Sequence, residues 1–109
     1  MQALDLKQER RLRSLLRDVR PLLDLVAEEL SLARGTQARI KVARLVARAV
    51  GANVSSTYRS VLREVLVAAA REVIDRRGRT WVLVEVEQYR KGSRAQLQFY
   101  RLVYVLVTK

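Results

Sequence analysis

The sequence predicts an α+β fold, with about four N-terminal helices followed by a long C-terminal antiparallel β-hairpin. Three observations carry that expectation. Apolar residues recur at helical spacing from the N-terminus to about residue 76. From Thr80 onward the pattern turns to Val-rich runs of strand character, interrupted once by Arg90-Lys91-Gly92-Ser93-Arg94. Half of the 109 residues are apolar, enough for a core, and the length is near the common size of one domain, so residues 1–109 are expected to form a single domain.

A first helix is expected over residues 3–19. Leu12, Leu15, Leu16 and Val19 make one stripe, and Glu9 stands four residues before Arg13, a supporting surface pair. Pro21 discourages continuation and suits the first turn of a second helix, residues 21 to about 34. Leu22, Leu23, Leu25, Val26, Leu30 and Ala33 give that helix a wide apolar face, while Asp24, Glu28 and Glu29 make it the acidic element. Gly35 falls just past its end. Thr36 can cap a third helix, roughly residues 37–50, closed by Gly51. On its wheel Val42, Ala43, Val46 and Val50 gather on one side, with Lys41, Arg44 and Arg48 opposite. Ser55 or Ser56 can cap a fourth helix reaching about residue 76. Tyr58, Val61, Leu62, Val65, Leu66, Ala69 and Val73 form its apolar face, and Arg59 and Arg63 lie one turn apart on another.

The hairpin strands are expected over residues 80–89 and 96–107. Simple alternation puts Val82, Val84 and Val86 on one face of the first strand and Trp81, Leu83, Glu85, Glu87 and Tyr89 on the other. In the second, Leu97, Phe99, Arg101, Val103, Val105 and Val107 oppose Tyr100, Leu102, Tyr104 and Leu106. Both faces are apolar, and an isolated two-stranded hairpin is marginal in water. One face is therefore expected on the helices. The other is expected to meet a ligand or a second subunit, which points to a homodimer or higher homo-oligomer with the sheet continued across a two-fold axis. Phe99 reads as buried; Trp81, Tyr100 and Tyr104 read as the exposed aromatics.

Charge is distributed unevenly. The first thirty residues hold six acids and six bases; the remaining 79 hold five acids and sixteen bases, so the whole formal charge of +11 sits there. Residues 31–63 contain Arg34, Arg39, Lys41, Arg44, Arg48, Arg59 and Arg63 and not one acid. Such a field attracts polyanions, and nucleic acid is the obvious partner, because phosphates neutralised by Lys and Arg release condensed counterions.

Other chemistry is thinly represented. No Cys and no His are present, which removes thiol nucleophiles, imidazole bases, zinc sites and disulfides. Phosphate-binding glycine loops and hydrolase motifs are missing, and each carboxylate has a basic residue close by, so neither catalysis nor a cofactor is expected. Glu85 and Glu87 alone offer too few oxygens for a magnesium ion. No run approaches the roughly 20 apolar residues of a membrane helix, and the charged N-terminus does not read as a signal peptide. A cytoplasmic, soluble protein is expected. One Met, one Pro and abundant Arg and Glu hint at a thermophile.

The segment KVARLVARAVGANVSSTYRSVL, residues 41–62, resembles a helix-turn-helix. By that resemblance the second helix enters the major groove, so Ser55, Ser56, Thr57, Arg59 and Arg63 would face DNA, and the hairpin would be the wing of a winged helix with Arg90, Lys91 and Arg94 at its tip. The layout of helices before an aromatic hairpin is also similar to the ThermoDBP group of archaeal single-strand-binding proteins, a likeness of gross order and composition that carries no individual residue.

The function read from the sequence is non-enzymatic nucleic-acid binding, with single-stranded DNA or RNA favoured. Arg39, Lys41, Arg44, Arg48, Arg59 and Arg63 would neutralise phosphates. Arg79, Arg90, Lys91, Arg94 and Arg101 would interleave with aromatics, Arg90, Lys91 and Arg94 would clamp the backbone from the hairpin tip, and Trp81, Tyr100 or Tyr104 would stack bases. A winged helix-turn-helix regulator of duplex DNA is one alternative. An assembly subunit docking on an acidic protein partner is the other.

Overall fold

A computed structural model describes residues 4–90 and 98–108. Four helices and four strands alternate: α1 (Leu6–Arg17), α2 (Arg20–Ser31), β1 (Gln37–Lys41), α3 (Val42–Val50), α4 (Ser56–Ala69), β2 (Glu72–Ile74), β3 (Thr80–Arg90) and β4 (Gln98–Leu106). The strands form one antiparallel sheet of order β1-β4-β3-β2. The fold is thus mixed α+β as expected, but its strands are interspersed with the helices and are not confined to a C-terminal hairpin.

Local chemistry sets the helix ends. Asp5 and Gln8 form a reciprocal capping box at the start of α1, with bonds of 2.8 and 3.0 Å. Pro21 lies in the first turn of α2, where a missing N–H costs nothing. Gly51 ends α3 in the left-handed region, at φ +90.

Two departures from the expected elements share one cause. Residues 37–41 do not begin a helix. They alternate, Ala38 and Ile40 facing inward, and pair with β4 from Gln37↔Val105 to Lys41↔Arg101. Likewise α4 stops at Ala69, and Glu72-Val73-Ile74 becomes β2 against Val82, Trp81 and Thr80. Each segment is short and β-branched or alternating, and each supplies the hydrogen bonds that an edge of the central hairpin would otherwise lack.

The helices cover one sheet face. Leu12 and Leu15 of α1, Leu22, Val26 and Leu30 of α2, Val42, Leu45, Val46 and Val50 of α3, and Leu62 and Leu66 of α4 pack with Trp81, Tyr100, Leu102 and Tyr104. This reverses the expected assignment of the hairpin faces. Trp81, Tyr100 and Tyr104 are core residues, Trp81 and Tyr104 being 0% exposed. Phe99 is only half-buried, on the other face with Arg101. A register shift between Leu83 and Glu85, a β-bulge at Val84, also breaks simple alternation. Trp81, Leu83 and Val86 face the helices, whereas Val82, Glu85, Glu87 and Tyr89 share the outer face with their partners on β4.

Candidate nucleic-acid interface

The acid-free stretch of sequence is not acid-free in space. Glu29 of α2 accepts from Arg44 Nε at 3.0 Å and from Arg48 Nη1 at 3.0 Å, and Glu28 accepts from Arg48 Nη2 at 2.8 Å. The hydrogen bond to Arg48 holds the Glu28 carboxyl below its ordinary value. The basic stripe of α3 thus lies along the acidic flank of α2. These two arginines do not form the unopposed phosphate surface expected from residue order.

Arg59 does not face outward either. It is 4% exposed, donating through Nη1 to the Val54 carbonyl at 2.5 Å and through Nη2 to Ser56 Oγ at 2.8 Å. Burial lowers its pKa. Its guanidinium lies 4.3 Å from the centre of the Phe99 ring. Arg63 lies over Tyr100 at 4.8 Å and pairs with Glu64. Ser55 caps α4 by backbone geometry and, like Ser56, is half-buried. The exposed residues of α4 are Thr57, Tyr58, Val61, Glu64, Ala68 and Ala69, none of them basic. Tyr58 and Val61, expected in the core, are 42% and 45% exposed.

Arg79 and Trp81 are structural. Arg79 Nε and Trp81 Nε1 both donate to Asp75 Oδ2, at 2.8 and 2.9 Å, and Arg79 Nη2 donates to the carbonyls of Leu30, Ser31 and Ala33 at the C-terminus of α2. Asp75 also accepts the amides of Arg77 and Arg79. Burial raises the Asp75 pKa, but the Trp81 hydrogen bond, the two amides and the Arg79 guanidinium outweigh it and bring the value to about 2. The Tyr104 hydroxyl donates to the Ala70 carbonyl at 2.7 Å, and its burial pushes its pKa up. Tyr100 is buried beneath Arg63. None of the three aromatics expected to stack bases offers a face to solvent.

Of the cations expected to touch phosphate, the two on β1, Arg39 and Lys41, lie on the uncovered face of β1-β4-β3. Cross-strand rows place Arg39 beside Val103, and Lys41 beside Arg101 and Glu87. Glu87 serves two guanidiniums, Arg39 at 3.1 Å and Arg101 at 3.7 Å. The next row is aromatic, with Tyr89 and Phe99 stacked at 5.6 Å and 25° and Arg101 4.2 Å from the Tyr89 ring. Arg59 and Arg101 therefore bracket a two-ring stack where the hairpin leaves the helices. Arg90 is exposed at the end of β3; Lys91 and Arg94 lie outside the described residues.

Sequence reasoning places Arg101 among the bases interleaved with the aromatics but does not count it as a contact residue. Its signal was present: Arg101 is the one charge on either face of β4, which marks its face as outer and leaves Tyr100, Leu102, Tyr104 and Leu106 as an uncharged inner row. Averaging also hid a basic element. Among the first thirty residues α1 carries Lys7, Arg10, Arg11, Arg13 and Arg17 against Glu9 alone, and the balancing acids are Asp5 and Asp18 at its two caps and Asp24, Glu28 and Glu29 on α2.

No helix among the described residues is long and apolar enough to cross a membrane. No family model matches the chain, and no curated protein or solved structure matches it either.

Proposed function

We propose that this chain is a non-enzymatic nucleic-acid-binding protein that holds the phosphate backbone on the outer sheet face formed by β1, β4 and β3. The observation that carries this is the convergence of Arg39, Lys41 and Arg101 on neighbouring rows of one uncovered sheet face, with Arg90 exposed at the end of β3. Glu85 and Glu87 are two acids against Arg39, Lys41 and Arg101 on this face, so the surface keeps one net positive charge. Polyphosphate laid there releases counterions. Base stacking by Trp81, Tyr100 and Tyr104 drops out of the reading, because their rings are enclosed. The order α3, turn, α4, hairpin supports the winged-helix alternative, with the hairpin as wing. The exposed face of α4 carries no cation, which moves the contact from that helix to the wing.

Binding of a labelled duplex and the matching single strand over a salt series tests this. Duplex is expected to bind more tightly, with little dependence on base sequence and a steep loss toward physiological salt. Lys41→Ala and Arg90→Ala are each expected to reduce the salt slope by about one. No binding at low salt, or slopes unchanged in both variants, would overturn the proposal.

A second copy of the chain is the other partner the geometry favours. Two molecules of charge +11 repel except across a cation-poor face, and α4 presents one, with Tyr58 and Val61 outward. Val61→Glu is expected to leave the fold intact and lower the sedimenting mass; an unchanged mass would sink this reading.

A further inference from the structure

A groove of about 550 Å³ lies between α1, α2 and the end of α3. One wall is cationic: Lys7, Arg10 and Arg11 from two successive turns of α1, with Arg48 across from them. The floor is apolar, formed by Leu15, Pro21, Leu25 and Ala49, and Asp24 is the one acid in the lining. Arg11 is fixed, its Nη1 donating to the Val50 carbonyl at 3.2 Å, and neighbouring Gln8 donates to the Gly51 carbonyl at 3.3 Å. α1 is therefore tied to the end of α3, which holds the cationic wall in place over the floor. Arg48 is already occupied by Glu28 and Glu29, so the unopposed charge belongs to Lys7, Arg10 and Arg11.

We infer that this groove binds a small organic anion with an apolar body, a single-chain carboxylate being the simplest example. The volume falls within the range of small-molecule sites, roughly 300–1,000 Å³, which pair an apolar lining with a few placed polar groups. Charge and floor fix the orientation. The anionic head lies against Lys7, Arg10 and Arg11, and the tail runs along Leu15 and Leu25 toward Pro21. A bare phosphate or acetate would use the wall and leave the floor wet. An uncharged chain would cover the floor and leave the cations unanswered. A nucleic-acid backbone offers nothing apolar to the floor, so this site is independent of the hairpin surface proposed above.

Three probes separate these cases: decanoate below its micellar concentration, acetate, and decyl maltoside, each titrated into isotope-labelled protein and followed by amide chemical shifts. Decanoate is expected to saturate at one per chain, moving the amides of Lys7, Arg10, Leu25 and Ala49; acetate and decyl maltoside are expected not to saturate there. The double variant Lys7→Gln/Arg10→Gln, at two exposed positions, is expected to weaken decanoate about tenfold, the scale of one lost charge-assisted contact. Leu25→Ser should weaken it through the tail while leaving the wall intact. Equal binding of decyl maltoside, decanoate affinity unchanged in the double variant, or shifts confined to other surfaces would overturn the inference.

Discussion

Two arginine–carboxylate clusters meet α2, and they differ in everything except residue type. At its C-terminus, Asp75 has a side chain with no exposure and gathers Arg79, Trp81 and two backbone amides, while Arg79 in turn satisfies three helix carbonyls. Along its flank, Glu28 and Glu29 hold Arg44 and Arg48, whose guanidiniums remain open to water although Glu29 itself is largely covered. The first cluster fastens the β2–β3 turn to the helix layer. The second cancels surface charge. A buried carboxylate with every lone pair engaged cannot lose a partner without stranding the others, whereas exposed pairs exchange protein for water at little net cost. Counting arginines along the chain gives no hint of which kind a given residue will be.

The sharpest way to break this contrast is Asp75→Ala. It leaves the buried Trp81 N–H and the half-buried Arg79 Nε without their shared acceptor and is expected to cost about 3–5 kcal/mol in denaturant unfolding, a large share of a typical small-domain stability. Acid should expose the same group. The Asp75 pKa is about 2 in the folded chain against an ordinary 3.8, so its stabilisation is complete above 3.8, declines as pH falls, and is gone once pH passes below about 2. Acid titration of Asp75→Asn should lack that step. If wild type and variant lose stability in parallel from neutral pH downward, the assignment to Asp75 is wrong. Tyr104→Phe sits lower in the order. It removes one buried hydrogen bond and leaves the Ala70 carbonyl unpaired, so about 1–2 kcal/mol is expected by the same measurement. Smallest of all is Glu29→Gln, which weakens two pairs at once. Its melting temperature should barely move and should converge on wild type in high salt. A loss as large as that of Asp75→Ala would erase the distinction between the two clusters.

Much of the helical layer was legible in the sequence because each helix carries its own punctuation: Pro21 opening α2, Gly51 closing α3, serines before α4. The class, α+β, follows from the change of period near Thr80. β1 and β2 were not legible. Gln37-Ala38-Arg39-Ile40-Lys41 suits an amphipathic helix as well as a strand, and only the open edge of β4 decides between them. The candidate site fared worse for a related reason. Lys41, Arg44 and Arg48 share a helical stripe on paper. Once Lys41 belongs to β1, it joins Arg39 and Arg101 on the sheet, while Arg44 and Arg48 turn to acids some twenty residues earlier in the chain. Local periodicity has no access to that pairing. Tyr100 and Tyr104 were misplaced although the information was present, since a strand face that carries Arg is a poor candidate for the core, whereas Trp81 was hidden by the bulge, because alternation groups it with Glu85 and Glu87.

The single unpaired residue at Val84 has a consequence for the whole hairpin. Without it, a strand that buries Trp81 and Leu83 would be committed by its two-residue repeat to burying Glu85, Glu87 and Tyr89 as well, and to turning Val86 out to water. One inserted position resets the phase, so an indole anchor and a pair of carboxylates can follow each other closely and still face different worlds. Arg39 and Arg101 find their shared counter-ion on the wet side only because the frame slips there.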